Sequence, residues 1–311
     1  MISAGIIGYK NHSKKIITLL KKKVEIKYIF HPRKEIKIKN FTNNIDDLLN
    51  TDCIFVLCPS QYHFFYINYF IKKRFKGYIF CEKLPVTKVS DLKKLSKIVN
   101  NKCYFNYNLR HSILNDYFRD HKIFGKIIQI SIHDSKPYIY KKRISKNWRT
   151  DTHDTLLTNN FSHYLDLINY CFKKKINKLQ ILKRKINSQF RIIDSIQLSF
   201  EIKKIFTSIF ISYATVLDKK ISLYYTNAKI EIDDNFIKIF HPYNNMDTEG
   251  YFKKPKLFYK KSVKKIFKTS NKNSLDYFIE TVSNKKKFNK NDLKISIDSN
   301  KIILDISKKL I

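Results

Sequence analysis

The feature that most constrains the fold is the regular alternation of short apolar runs with helically periodic segments over the first ~120 residues. Residues 2–8 form an apolar run that ends in glycine, and residues 14–22 carry Ile16, Ile17, Leu19 and Leu20 at helical spacing. Residues 24–30 read as a second strand, closed by His31-Pro32. A helical turn over 45–49 leads into Cys-Ile-Phe-Val-Leu-Cys at 53–58, a wholly apolar run and so a strand covered on both faces. Residues 62–75 read as helix, 78–81 as strand, 90–99 as a helix with Ser90 as N-cap, and 103–107 as strand. Strands that alternate with helices are joined by crossovers, which build a parallel sheet.

Beyond residue 120 the pattern changes. Alternating stretches at 126–133, 189–200, 203–213, 219–225 and 228–240 follow one another, with short polar turns such as Asp218-Lys219 and Asp233-Asp234. This predicts an open, mainly antiparallel sheet. A helix is expected over 155–171, and the tail from 273 is helical twice, with Ser274 and Asp298 as caps. There is no internal repeat and no low-complexity linker. The expected architecture is an α/β domain with a doubly wound parallel sheet over 1–120, then an α+β domain with C-terminal helices over 121–311.

Composition narrows the partners. The chain has 311 residues, enough to bury a substantial core. No apolar run reaches the ~18 residues needed to span a bilayer. The opening Met-Ile-Ser-Ala-Gly-Ile-Ile-Gly lacks a basic n-region, so no signal peptide is expected. Five cysteines form an odd set without a CxxC pair; free thiols in apolar runs suit a reducing cytoplasm, and no metal ligands are assigned. A formal charge of +36 points toward polyanions. The lysines are nevertheless spread over every segment, alongside abundant Asn, Ile, Phe and Tyr and only 5 Gly. A+T-rich codons produce that joint skew, so nucleic acid is disfavoured as a partner, although the positive field favours phosphorylated ligands.

At the first strand-helix turn stands Gly8-Tyr9-Lys10-Asn11-His12-Ser13. A dinucleotide fingerprint has glycine at the first, third and sixth of these positions. Only Gly8 conforms. Two readings stay open: a tight turn without a ligand, or a phosphate site where the Lys10 side chain reaches around the phosphates beside a helix N-terminus. The second strand ends in Phe30-His31-Pro32-Arg33-Lys34 with no acidic residue for ribose hydroxyls. Arg33 can accommodate a 2′-phosphate, which favours NADP slightly over NAD; otherwise Arg33 and Lys34 are solvated cations.

Further motifs lie at later strand ends, where open α/β sheets bind ligands. They are Cys58-Pro59-Ser60-Gln61-Tyr62-His63 and Glu82-Lys83-Leu84-Pro85, followed by Asn106-Tyr-Asn-Leu-Arg110, Asn147-Trp148-Arg149 and Asn159-Asn160-Phe161-Ser162-His163-Tyr164-Leu165-Asp166. In this order and spacing the chain resembles the Gfo/Idh/MocA oxidoreductases over nearly its whole length. The resemblance implies a Rossmann domain binding NADP or NAD, and hydride transfer between nicotinamide and a carbinol or carbonyl carbon of a sugar, nucleotide-sugar or cyclitol. It makes Lys83 the lysine that contacts substrate hydroxyl and nicotinamide ribose, His163 the general acid or base, and Asn159 the residue where many members have an aspartate. Gly8, Lys10, Asn11, His12, Arg33, Pro59, His63 and Glu82 would face the cofactor, and Arg110, Trp148 and Asn160 the substrate.

The residues themselves agree in part. Asn159 and His163 stand at i and i+4 of one expected helix, histidine carries protons near neutral pH, and a lysine in a dry cleft can have its pKa lowered. A core-facing His163 and a Lys83 merely paired with a carboxylate are the structural alternatives. The lost glycines at 10 and 13, and Asp151-Thr152-His153-Asp154 where the family has a glycine-rich run, motivate a second reading: a catalytically degenerate Rossmann-fold binding or scaffold protein. The open sheet face suggests a homo-oligomer, dimer or tetramer.

Overall fold

The computed structural model describes residues 1–32, 37–138, 156–186, 193–241, 246–263 and 266–310. The chain divides into two compact units: residues 1–111 with 271–306, and residues 112–270 with 307–311.

The first unit holds a six-stranded parallel sheet of β1 (Ser3–Ile7), β2 (Glu25–Phe30), β3 (Phe41–Thr42), β4 (Cys53–Val56), β5 (Tyr78–Glu82) and β6 (Cys103–Asn106), in the order β3-β2-β1-β4-β5-β6. The order reverses between β1 and β4, the switch point outside which doubly wound sheets bind ligands. All of β4 and β5 is buried, as their unbroken apolar runs require. Helix α1 (Asn11–Leu20) buries Ile16, Ile17 and Leu20 on one side, the stripe expected from its spacing. Helices α2 (His63–Lys72), α3 (Val89–Ile98) and the short α4 (Leu114–Tyr117) follow in chain order, α4 in the second unit. Ser90 is not the cap of α3: the helix begins at Val89 after an extended Lys88 that makes no side-chain cap bond.

The second unit is built on an eight-stranded sheet: β7 (Ile127–Ser135), β8 (Ile176–Arg184), β9 (Ser195–Ile202), β10 (Ile205–Ser212), β11 (Asp218–Tyr225), β12 (Lys229–Asp233), β13 (Phe236–His241) and β14 (Lys256–Ser262). Their order is β14-β13-β12-β11-β7-β10-β9-β8, antiparallel except where β7 pairs with β10. Ile130, Ile132 and Asp134 of β7 are buried, while Gln129, Ser131 and His133, which alternate with them, are not, so one face of the sheet is covered and the other open. Helix α5 (Ser162–Phe172) lies on the covered face, where its Tyr164 hydroxyl reaches Asp134 of β7.

The last two helices, α6 (Ile266–Ser283) and α7 (Lys290–Lys308), place residues 271–306 in the first unit, not in the second as a boundary of 121–311 would have it. The reason is apolar. Phe278 of α6 meets both Phe55 of β4 and Phe80 of β5 edge to face, 5.2 Å from ring centre to ring centre, and Phe288 stacks on Phe278 at 5.5 Å. Helix α6 and Phe288 share one face of the parallel sheet with Ile16, Ile17 and Leu20 of α1, and each such ring contributes about 1.5–3 kcal/mol by leaving water. Neither Ser274 nor Asp298 caps a helix, since both lie well inside one. Among the described residues, no helix is long and apolar enough to cross a membrane.

Candidate active site

In the first unit the turn after β1 rests on Gly8. Its φ is +100°, and an added Cβ would lie 3.1 Å from both Cα and N of Cys58. Only glycine combines that conformation with so close an approach to the chain leaving β4. Lys10 occupies the second fingerprint position in an extended backbone (φ −107°, ψ −178°) open to any residue, and it is exposed. Ser13, at the third position, is buried and donates its hydroxyl to the Leu57 carbonyl at 3.1 Å, so a small side chain bonds helix to strand where the fingerprint has glycine. Helix α1 has no side-chain N-cap and no acidic residue in its first turn. The first-turn N–H groups, with Lys10 and His12 beside them, are therefore compatible with a dinucleotide pyrophosphate. Asn11 opens the helix and is exposed.

His12 and Glu82 meet across the strand ends, Nε2 to Oε1 3.0 Å apart. The Glu82 carboxylate also accepts a hydrogen bond from Asn106 Nδ2 at 2.8 Å. The charge and hydrogen bond of Glu82 raise His12 above its ordinary 6.5, against burial and the positive charges of Lys83 and Lys15. Burial pushes Glu82 up, but the charge and hydrogen bond of His12, the Asn106 amide and the Lys83 ammonium prevail and hold it below the usual carboxylate range. The contribution of His12 to stability is complete below its unfolded pKa and is lost as pH rises through the raised folded value. That of Glu82 is present above its unfolded pKa and is lost as pH falls through the lowered one. Replacing Glu82 by glutamine is expected to bring His12 down to or below its ordinary value, read by NMR titration of the imidazole protons. An unmoved titration would dismiss the pair.

The segment leaving β5 carries Lys83, half-buried between Glu82 and the buried Leu84 and Pro85; the Lys83–Leu84 peptide is cis. His63, the first residue of α2, is buried with Nδ1 2.7 Å from the Leu84 carbonyl and Nε2 2.8 Å from the Cys58 carbonyl. Burial lowers its pKa despite these two carbonyls, so the ring is neutral near pH 7 and donates to one of them at a time. His63 thus tethers the turn after β4 to the segment after β5, while Pro59 stands exposed at the start of a 3₁₀ turn over Ser60–Tyr62. Arg110 donates to the Asp292 carbonyl of α7 at 3.0 Å and lies 5.5 Å from the Tyr107 ring centre. Arg33 lies outside the described residues.

In the second unit, the expected helix opens with a π turn over Leu157–Phe161 before α5. Such turns recur at functional sites. Asn159 lies in that turn and His163 in the first turn of α5, both half-buried. Asn160 faces inward: its Nδ2 donates to Asp134 Oδ2 at 3.1 Å, and Tyr213 donates to its Oδ1 at 3.2 Å. Asp134 also accepts from Tyr164 at 3.1 Å and has Lys136 Nζ 3.5 Å from its other oxygen. Lys219, cross-strand partner of Asp134, is lowered to about 8, chiefly by burial and further by Lys136, with Asp134 and Asp234 opposing. Sequence reasoning passed over Asp134, Tyr213 and Lys219; the only signal was a carboxylate placed on the inward side of an alternating strand. Trp148 lies outside the described residues.

No protein-family model matches the chain, and no curated protein matches it. Solved structures do. A putative NADPH-dependent oxidoreductase from Desulfitobacterium hafniense aligns over 99% of this chain and 94% of its own, with a TM-score of 0.80 at 13% identity. The myo-inositol 2-dehydrogenase of Lactobacillus plantarum aligns over 99% and 95%, with a TM-score of 0.73 at 16% identity. The UDP-N-acetylglucosamine 3-dehydrogenase of Acidithiobacillus ferrooxidans aligns over 99% and 96%, with a TM-score of 0.75 at 10% identity. The chain therefore has the fold of two-domain dehydrogenases. Its structural neighbours are of the Gfo/Idh/MocA type, as the order of its motifs implied.

Proposed function

We propose that this chain is an NAD(P)-dependent oxidoreductase acting on a carbinol or carbonyl carbon of a sugar, nucleotide-sugar or cyclitol. The observation that carries the reading is the Gly8 turn. It keeps its left-handed glycine against Cys58, while the residues replacing the other two glycines need no special backbone or fill their place with a bonded hydroxyl. The fingerprint is degraded in letters, but the turn it encodes persists.

In this reading Gly8, Lys10, Asn11 and His12 hold the pyrophosphate at the start of α1, and Arg33 favours a 2′-phosphate, hence NADP slightly over NAD. Pro59, His63 and Glu82 shape the nicotinamide end. A bound nicotinamide supplies hydride exchange with the substrate carbon. Lys83 orients the reacting hydroxyl, His163 moves its proton, and Asn159 hydrogen-bonds substrate, with Arg110, Trp148 and Asn160 further along it. Self-association through the open sheet face and a cytoplasmic location, where the five free cysteines stay reduced, belong to the same reading.

Titration of the purified protein with NADPH and with NADH, followed by nicotinamide fluorescence, tests it. Saturable binding of at least one is expected, NADPH the tighter. Binding of neither would favour the degenerate scaffold.

A further inference from the structure

The Glu82–Val86 segment is held from both ends by the C-terminal helices, through residues far away in sequence. At the upstream end, a chain of buried polar groups leads from Glu82 to α6. Asn106 Nδ2 donates to Glu82 at 2.8 Å, Ser274 of α6 lies 2.7 Å from Asn106 Oδ1, Tyr104 OH is 2.5 Å from Ser274 Oγ, and His111 Nε2 is 2.9 Å from Tyr104 OH. Asn106 and Ser274 are 1% and 0% exposed, so water does not stand in for these bonds.

An ionised Glu82 sets the direction of every bond in this chain. A carboxylate only accepts, so Asn106 presents its NH₂ to Glu82 and its carbonyl to Ser274. Ser274 must then donate to Asn106 and accept from Tyr104, and Tyr104 in turn accepts from His111. His111 is consequently the tautomer with hydrogen on Nε2. Burial, with the neighbouring Arg110, lowers His111 to about 4, so the ring is neutral near pH 7 and can take that form.

At the downstream end, Asn300 of α7 is 0% exposed and bonds both main-chain groups of Val86. Its Oδ1 accepts from the Val86 N–H at 3.1 Å, and its Nδ2 donates to the Val86 carbonyl at 3.1 Å. Val86 is fully buried past the end of β5, and among the described residues no strand pairs with it to supply these bonds. The amide of Asn300 takes the place of a peptide group. Between the two anchors run only Lys83, Leu84 and Pro85.

We propose that Asn300 and Ser274 are positioning residues for Lys83. They fix the two ends of the short segment that presents its side chain. The importance given to Lys83 rests on the reading under Proposed function; the hold on the segment does not.

The test is residue-resolved lysine labelling of the full chain without cofactor, by trace acetylation with acetic anhydride and mass spectrometry, with exposed Lys21 and Lys22 as internal references. Asn300→Ala is expected to raise the relative labelling of Lys83 by about tenfold or more, the consequence of losing two buried hydrogen bonds. Ser274→Ala removes one hydroxyl and is expected to give a smaller rise in the same ratio, with the His12 titration moving toward its ordinary value. If the ratio stays at the wild-type value in both variants while thermal midpoints fall, the two residues are merely structural and the proposal is overturned. If Asn300→Ala does not fold, Ser274→Ala decides alone by the same ratio. Wild-type protein that binds neither NADPH nor NADH would defeat the reading of Lys83, whereas an unchanged ratio would defeat the positioning.

Discussion

Alanine in place of Lys83, or of His163, is expected to lower kcat by about 10²–10⁴-fold, the range for removal of one positioned proton-transfer or orienting group. That corresponds to roughly 3–5 kcal/mol of transition-state stabilisation. Lys83 extends from a segment that is anchored on both sides, so its loss removes a side chain without releasing the backbone that carried it. Affinity for NADPH or NADH, proposed to be held at the Gly8 turn, is expected to change by no more than about threefold, which separates a loss of turnover from a loss of binding. Steady-state kinetics with a turned-over substrate, alongside fluorescence titration of each variant, provides both numbers. Near-normal kcat in both variants would remove them from the chemistry.

The second large effect is expected at Gly8. Alanine there meets two penalties at once, a left-handed φ of +100° and a Cβ 3.1 Å from backbone atoms of Cys58. Neither can be relieved by a flexible side chain moving aside, because the obstacles are main-chain atoms at the junction of β1 and β4. Backbone strain of this kind costs about 1–3 kcal/mol, equivalent to a fall in thermal midpoint of roughly 1.5–5 °C for a chain of this size. Relief by shifting the turn would move the first N–H groups of α1, so cofactor affinity is expected to fall at least tenfold, about 1.4 kcal/mol. A Gly8→Ala protein with unchanged midpoint and unchanged affinity would show that the turn is neither strained nor used.

The parallel sheet was legible because its central strands are buried on both faces and so are written as unbroken apolar runs, Cys53 to Cys58 above all. Edge strands carry no such mark. Every residue of β14 is exposed, and β8 has no fully buried position, so neither shows the alternation that a half-covered strand requires. Ser274 reads locally as a helix cap. It sits instead in the middle of α6, because that helix starts earlier, at Ile266, and its hydroxyl serves Asn106. Asn300 carries no local signal at all: an asparagine inside a helix is unremarkable until its partner, Val86, is brought to it from 214 residues away. At the candidate site, the places of Glu82 and Lys83 at the end of β5 and of His63 in the segment after β4 were legible. The pairing of His12 with Glu82 was not, since it spans 70 residues and depends on which strands are neighbours.

The return of residues 271–306 to the first unit also bears on how the protein is made. A ribosome delivers β4 and β5 early, but Phe278, which packs on Phe55 and Phe80, comes only after residues 112–270 of the second unit have been synthesised. Until then Phe55 and Phe80 lack the ring that packs on them, and of their buried cluster only the part supplied by α1 and the strands is in place. The first unit is thus begun first but stays incomplete until residues 112–270 of the second have been made, and the apolar surface left uncovered meanwhile is of the kind that makes folding intermediates prone to aggregate.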